Sequence, residues 1–291
     1  MEPLAPKFRS TLGKAALALQ GRGNYTGQVV LAGVRSTMAR IARGYVVTPL
    51  GRIQLRYGGR GAPLLVLHSS GASSAAAARW GFLERLAESV RVYAPDLPGH
   101  GASDPLPAGA TLPELIRWVV LLTDEMGDQQ VALFGVGAGA TLAVALAQAA
   151  PQRVQRLVLA LRSTPPPPPW QLADSGQHLL TLFHHFSAPA PEAGWLEEAT
   201  AATIEAAEAG PAAWALDALL APLDLLAELP QLRVPPAVIV PLGDALVEPA
   251  LELVSRTGAE VAVAATGPLF GAFEPATLAA TVCDMLEEAP G

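Results

Sequence analysis

The sequence predicts an α/β protein with a mostly parallel central sheet covered by helices on both faces. Three observations carry this. Short continuous runs of Val, Leu and Ile, as in 63–67 and 131–134, alternate with segments of helical period. Turns rich in Gly and Pro separate them, and the 27 residues of each type follow no repeat, which excludes collagen-like and low-complexity chains. Finally, 291 residues that are 51% hydrophobic bury a large core without disulfides or metal.

The elements follow in order. Apolar residues recur at helical spacing over 6–20 and 28–43, split by the turn Gly21-Arg22-Gly23-Asn24. The period then changes to two, and 45–48 with 52–57 around Pro49-Leu50-Gly51 reads as a hairpin. Strands are expected at 63–67, 90–94, 131–134, 154–160, 237–242 and 260–264. Helices are expected at 75–88, 112–126, 138–150, 248–256 and 275–288. Between the strands ending near Leu161 and starting near Ala237 lies a long insertion that opens on the polyproline run 165–169, a stiff hinge into a helical lid. The expected organisation is therefore a basic helical N-terminal arm, 1–44, a core of 45–162 and 233–291, and a helical cap, 163–232.

Charge is unevenly spread. Residues 1–60 hold ten of the nineteen basic residues and one acid, Glu2, a net of +9 on a chain whose total is −7. A basic arm on an acidic body suggests docking to a protein partner or an anionic surface, packing back on the body, or a targeting extension. The overall sign excludes a generally basic protein that coats nucleic acid. One cysteine, Cys283, forms no internal disulfide and fits a reducing, cytoplasmic setting, with peripheral membrane contact through the arm. The stretch 129–152 is uncharged, but Gly135, Gly137 and Gly139 read as a strand, a tight turn and a buried helix, so no transmembrane segment is expected.

Ligands of parallel sheets bind beyond the carboxyl ends of the strands. The loops there read His68-Ser69-Ser70-Gly71, Asp96-Leu97-Pro98-Gly99-His100-Gly101-Ala102-Ser103, Gly135-Val136-Gly137-Ala138-Gly139 and Gly243-Asp244. From 45 to 288 this pattern resembles the α/β-hydrolase superfamily, the Asp-Leu-Pro-Gly-His-Gly-Ala-Ser stretch most specifically. The resemblance implies an α/β-hydrolase fold with a serine nucleophile in Gly-x-Ser-x-Gly, an acid after a later strand and a histidine after the last one. Those positions are Gly137, Asp244 and Pro268. The elbow is also similar to that of the N-myc downstream-regulated family, a non-hydrolytic branch of the fold.

The resemblance thus implies the scaffold with a degenerate triad. Glycine has no nucleophile and proline no titratable group, and losing either partner of such a triad costs on the order of 10⁶ in turnover. No histidine lies beyond residue 185, so the base has not slipped along its loop. His68 and His100 read as structural, and His178, His184 and His185 belong to the cap, with no acids spaced to complete a metal site. Neither a metal nor a cofactor is expected. A cleft remains, lined by Ser69, Ser70, Ala138 and Asp244, with the Ala138 N–H at a helix N-terminus and room for a small apolar ligand. Asp244 reads equally as a helix N-cap. The leading expectation is a non-hydrolytic binding, scaffold or accessory protein. Two alternatives stay open: an enzyme using the same cleft without a serine nucleophile (a lyase, isomerase or cofactor-free catalyst), and a residual ester hydrolase.

Overall fold

The computed structural model describes residues 39–70, 72–79, 81–161, 210–241, 246–257, 259–264 and 275–287. All of these residues belong to one compact unit.

Eight strands form one sheet: β1 (Ala42–Thr48), β2 (Gly51–Gly58), β3 (Pro63–Leu67), β4 (Arg91–Pro95), β5 (Val131–Val136), β6 (Val154–Ala160), β7 (Pro236–Pro241) and β8 (Glu260–Ala264). Their order is β1-β2-β4-β3-β5-β6-β7-β8. Strands β3 to β8 run parallel, while β2 is antiparallel to both β1 and β4. This is the α/β-hydrolase fold. The chain crosses over after β3 and reverses its direction of growth at β5, which leaves a crevice beyond the carboxyl ends of β3 and β5.

The described helices are α1 (Ser74–Arg79), α2 (Phe82–Leu86), α3 (Leu112–Glu125), α4 (Ala138–Ala149), α5 (Gly210–Leu220), α6 (Leu225–Glu228), α7 (Val247–Thr257) and α8 (Pro275–Glu287). Because side chains alternate along a strand, β3 feeds two core layers. Leu65 and Leu67 pack on the side of Trp118, Leu122 and Leu142, from α3 and α4. Leu64 and Val66 pack on the opposite side with Phe82, Leu86 and Val282, from α2 and α8. Helix α3 opens on a capping interaction, the Thr111 N–H donating to Glu114 Oε2 at 2.8 Å.

Several element ends shift by a residue or two, and two differences go further. β1 begins at Ala42, not at residue 45, because Ala42 pairs with Tyr57 and Arg43 with Arg56, so the hairpin gains three residues and 42–43 are strand, not the end of the helix expected over 28–43. The helix expected over 75–88 is two, since Gly81 takes φ +70° ahead of α2 and breaks the ladder. The uncharged stretch resolves into β5, a turn and α4, and no helix among the described residues is long and apolar enough to cross a membrane.

Candidate functional site

Gly137 is the turn between β5 and α4, with φ +54° and ψ −120°, a backbone conformation that side chains other than glycine's enter only under strain. The N–H groups of Ala140 and Thr141 both donate to the Gly137 carbonyl, at 2.9 and 3.1 Å, and so close the first turn of α4. Ala138 and Gly139 therefore lead the helix with N–H groups that have no intrahelical acceptor. The flanking glycines let helix and sheet approach. A Cβ on Gly139 would lie 2.1 Å from the Leu67 carbonyl oxygen, and one on Gly135 would lie 2.5 Å from that of Gly139. The strand-to-helix elbow of the fold is thus built in full, with glycine at its apex.

Across the crevice, the loop after β3 carries Ser69 and Ser70. A Cβ placed on Gly137 would meet Ser69 Oγ at 2.4 Å and Ser69 Cβ at 3.1 Å, so the Ser69 hydroxyl fills the place of a side chain at 137. The Ser69 carbonyl accepts from the Ala72 N–H at 3.1 Å and from His68 Nδ1 at 2.8 Å. His68 Nε2 in turn accepts from the Leu97 N–H at 2.8 Å. A backbone N–H can only donate, so Nε2 carries no proton and Nδ1 does. Burial, reinforced by the neighbouring His100, lowers the His68 pKa to about 4, so the ring stays neutral at physiological pH.

His100 is fully buried, edge-on to His68 at 5.2 Å between ring centres, with Nδ1 donating to the Pro98 carbonyl at 3.0 Å. Burial lowers its pKa as well. Both histidines hold backbone in place.

Ser70 interacts with a residue that belongs to none of the strand-end motifs. Asp217, on α5, is hydrogen-bonded by the Ser70 hydroxyl and interacts electrostatically with His100. Partial desolvation raises its carboxyl pKa above the ordinary aspartate value, and the Ser70 bond opposes that rise. Nothing local in the apolar α5 sequence marks Asp217 as functional. In the sequence it is a lone acid in an apolar run of the long insertion. A cavity of about 320 Å³ lies between the 98–110 loop and α5, lined by apolar groups including Pro98, Leu106, Leu216 and Leu219, and none of Ser69, Ser70, Gly137 or Asp217 lines it.

The structure therefore brings Ser69, Gly137 and Ala138 together and links Ser70 to Asp217. Asp244 and Pro268 lie outside the described residues, as do His178, His184 and His185. Among the described residues, no three His, Cys, Asp or Glu side chains converge as a metal site requires.

Fold and elbow together define an α/β-hydrolase-fold protein whose elbow residue is glycine. Residues 62–180 match the family model for the alpha/beta hydrolase fold. The chain is 36% identical over 122 residues to the dihydrolipoyllysine-residue acetyltransferase component of the acetoin cleaving system of Cupriavidus necator, covering 40% of this chain and 32% of that protein. It is 38% identical over 110 residues to the 2-hydroxymuconate semialdehyde hydrolase of Pseudomonas sp. strain CF600, covering 37% of this chain and 39% of the enzyme. These matches span only about a third to two fifths of the relatives' length. A hydrolase of Pseudomonas aeruginosa PA01 superposes with a TM-score of 0.62 at 24% identity, over 84% of this chain and 98% of that one, a likeness of fold.

Proposed function

We propose that the chain is an enzyme of the α/β-hydrolase fold that binds a small neutral carbonyl compound and acts on it by general acid–base chemistry, without a serine acyl-enzyme. The observation that carries this reading is the pairing at one strand end of an elbow without a nucleophile and a lid carboxylate, Asp217, bound to Ser70. A carboxyl with a raised pKa is suited to take and return a proton, work that contributes about 10²–10⁴-fold. The hydrolase names among the relatives support a carbonyl substrate class. Two measurements test the reading. A fluorophosphonate probe should label no serine, and α-proton exchange of butanone in D₂O, followed by NMR, should fall at least about tenfold in Asp217→Asn. Covalent labelling, or exchange indifferent to Asp217, would overturn it.

A second reading is favoured by a separate observation, the presence in the sequence of glycine at 137 and proline at 268 together with the basic N-terminal segment. On that reading the chain is a pseudoenzyme with a degenerate triad, a binding or accessory subunit. The similarity of its elbow to the N-myc downstream-regulated branch supports this, and the basic segment would dock on an acidic partner or an anionic surface. Salt-sensitive capture of a partner by the intact chain, with no catalysis of exchange, separates it from the first.

A further inference from the structure

We infer that Ser69 supplies the hydroxyl that residue 137 cannot, and that it donates a hydrogen bond to the carbonyl oxygen of the bound compound while His68 holds it over the elbow. The inference deepens the carbonyl-binding reading and rests on it. The hydroxyl reaches the place of an elbow side chain from the opposite wall of the crevice, 2.4 Å from where a Cβ on Gly137 would stand.

Its position follows from a relay of hydrogen bonds. The Leu97 N–H occupies His68 Nε2, the proton is thereby fixed on Nδ1, and Nδ1 donates to the Ser69 carbonyl. The Ala72 N–H grips the same carbonyl. With its backbone held at two points, Ser69 presents its side chain to the elbow. Both of its neighbours are already engaged, His68 in the relay and Ser70 with Asp217. No described base touches Ser69 Oγ, so the hydroxyl serves as a donor to a ligand and not as an attacking group. His68 is a positioning residue, acting through Ser69.

One consequence concerns reversion. Gly137→Ser does not restore a nucleophile by itself, because the new side chain and Ser69 claim the same volume. Even a rotated Ser69 hydroxyl leaves its Cβ at 3.1 Å.

The test has a stability arm and a binding arm. Gly137→Ala should lower the melting temperature by about 5 °C or more, and the loss should be smaller by at least about 3 °C in a Ser69→Gly background. The backbone strain at 137 is common to both backgrounds and cancels. In the binding arm the probe is butyramide, a neutral carbonyl compound, titrated by NMR. Ser69→Ala should weaken binding at least about tenfold, and Ser69→Thr should retain it. His68→Leu, which loses both bonds of the relay, should weaken binding when Ser69 is present and have no effect in the Ser69→Ala background, a dependence that mere loss of structure would not produce. Independent effects of the 137 and 69 substitutions on stability, butyramide binding indifferent to Ser69, or no saturable butyramide binding would each overturn the inference. If butyramide binds through Ser69 while butanone exchange ignores Asp217, the acid–base reading fails and this one stands.

Discussion

Asp96 shows how single residues set the site. It is fully buried, with Oδ1 accepting from the Ser74 N–H at 2.8 Å and the Ser74 hydroxyl at 2.6 Å, and Oδ2 accepting from the Ala102 N–H at 3.1 Å. These bonds fix the turn that carries His100 and set the wall behind His68. The two histidines give that wall a pH dependence with a definite sign. His68 titrates at about 4 in the folded chain and near its ordinary 6.5 when unfolded. Between these values the unfolded chain binds the extra proton, so stability is full above about pH 6.5 and declines as pH falls toward 4. The ceiling for this one group is about 3 kcal/mol, and His100 acts in the same direction. Urea midpoints measured from pH 7 to pH 5 should fall, and the fall should be shallower in His68→Gln, whose amide can still accept from Leu97 and donate to Ser69 without titrating. Equal slopes in both proteins would show that His68 charges freely in the fold. The anchoring role of these histidines was legible, because strand-end loop motifs are local. The meeting of Ser69 with Gly137 was not. It depends on how closely two loops approach whose meeting residues are 68 positions apart in sequence, and no spacing rule reports that.

At the scale of elements, β5, the turn and α4 form the unit on which the crevice depends. Its glycines were visible as a motif, and the contacts give each a separate reason. At Gly139 two effects compete. Alanine would favour helix by about 1 kcal/mol, but its Cβ would stand 2.1 Å from the Leu67 carbonyl oxygen and 2.6 Å from that of His68, both backbone atoms. Backbone of a central strand cannot move aside as a side chain can, so overpacking wins. Gly139→Ala should destabilise by about 1–3 kcal/mol net, measured by chemical unfolding, and should weaken butyramide binding by shifting the β3 loop that carries Ser69. A neutral or stabilising result would mean that α4 stands farther from β3 than these distances give. Periodicity found the strands well, β6 and β8 to the residue, because short runs rich in Val, Leu and Ala read as strand even at the sheet's edge, where β8 leaves Val263 exposed. It joined α1 and α2 because helical spacing persists through a short break, and only the left-handed conformation of Gly81 reveals that break.

For the whole molecule, where the described body begins, at residue 39, governs which experiment can assign a partner. Residues 1–60 carry the net +9, yet half of their ten basic residues, Arg40, Arg43, Arg52, Arg56 and Arg60, lie on or beside the β1–β2 hairpin. Two of them are engaged there. Arg52 lies over the Tyr45 ring and 3.7 Å from Asp104, and Arg56 donates to Ser74 Oγ at 3.1 Å. The sheet also reaches further toward the N-terminus than the composition shift suggested, since Ala39 and Ile41 pack against the core layer of Leu64, Phe82 and Val92. Deleting residues 1–44 would therefore cut into β1 and confound loss of partner with loss of fold. Deleting residues 1–38 leaves every described contact in place, and its melting temperature should stay within about 2 °C of the intact chain's. Deleting residues 1–48 removes the edge strand, uncovers the pairing groups of β2 beside the buried Ile53 and Leu55, and should lower it by about 5 °C or more. With that contrast in hand, partner capture at low and high salt becomes decisive. Capture lost in the 39–291 chain while its melting temperature holds assigns docking to residues 1–38. Capture that persists and still weakens with salt assigns it to the arginines of the hairpin, where Arg43→Glu, on the exposed face of the edge strand, should abolish it.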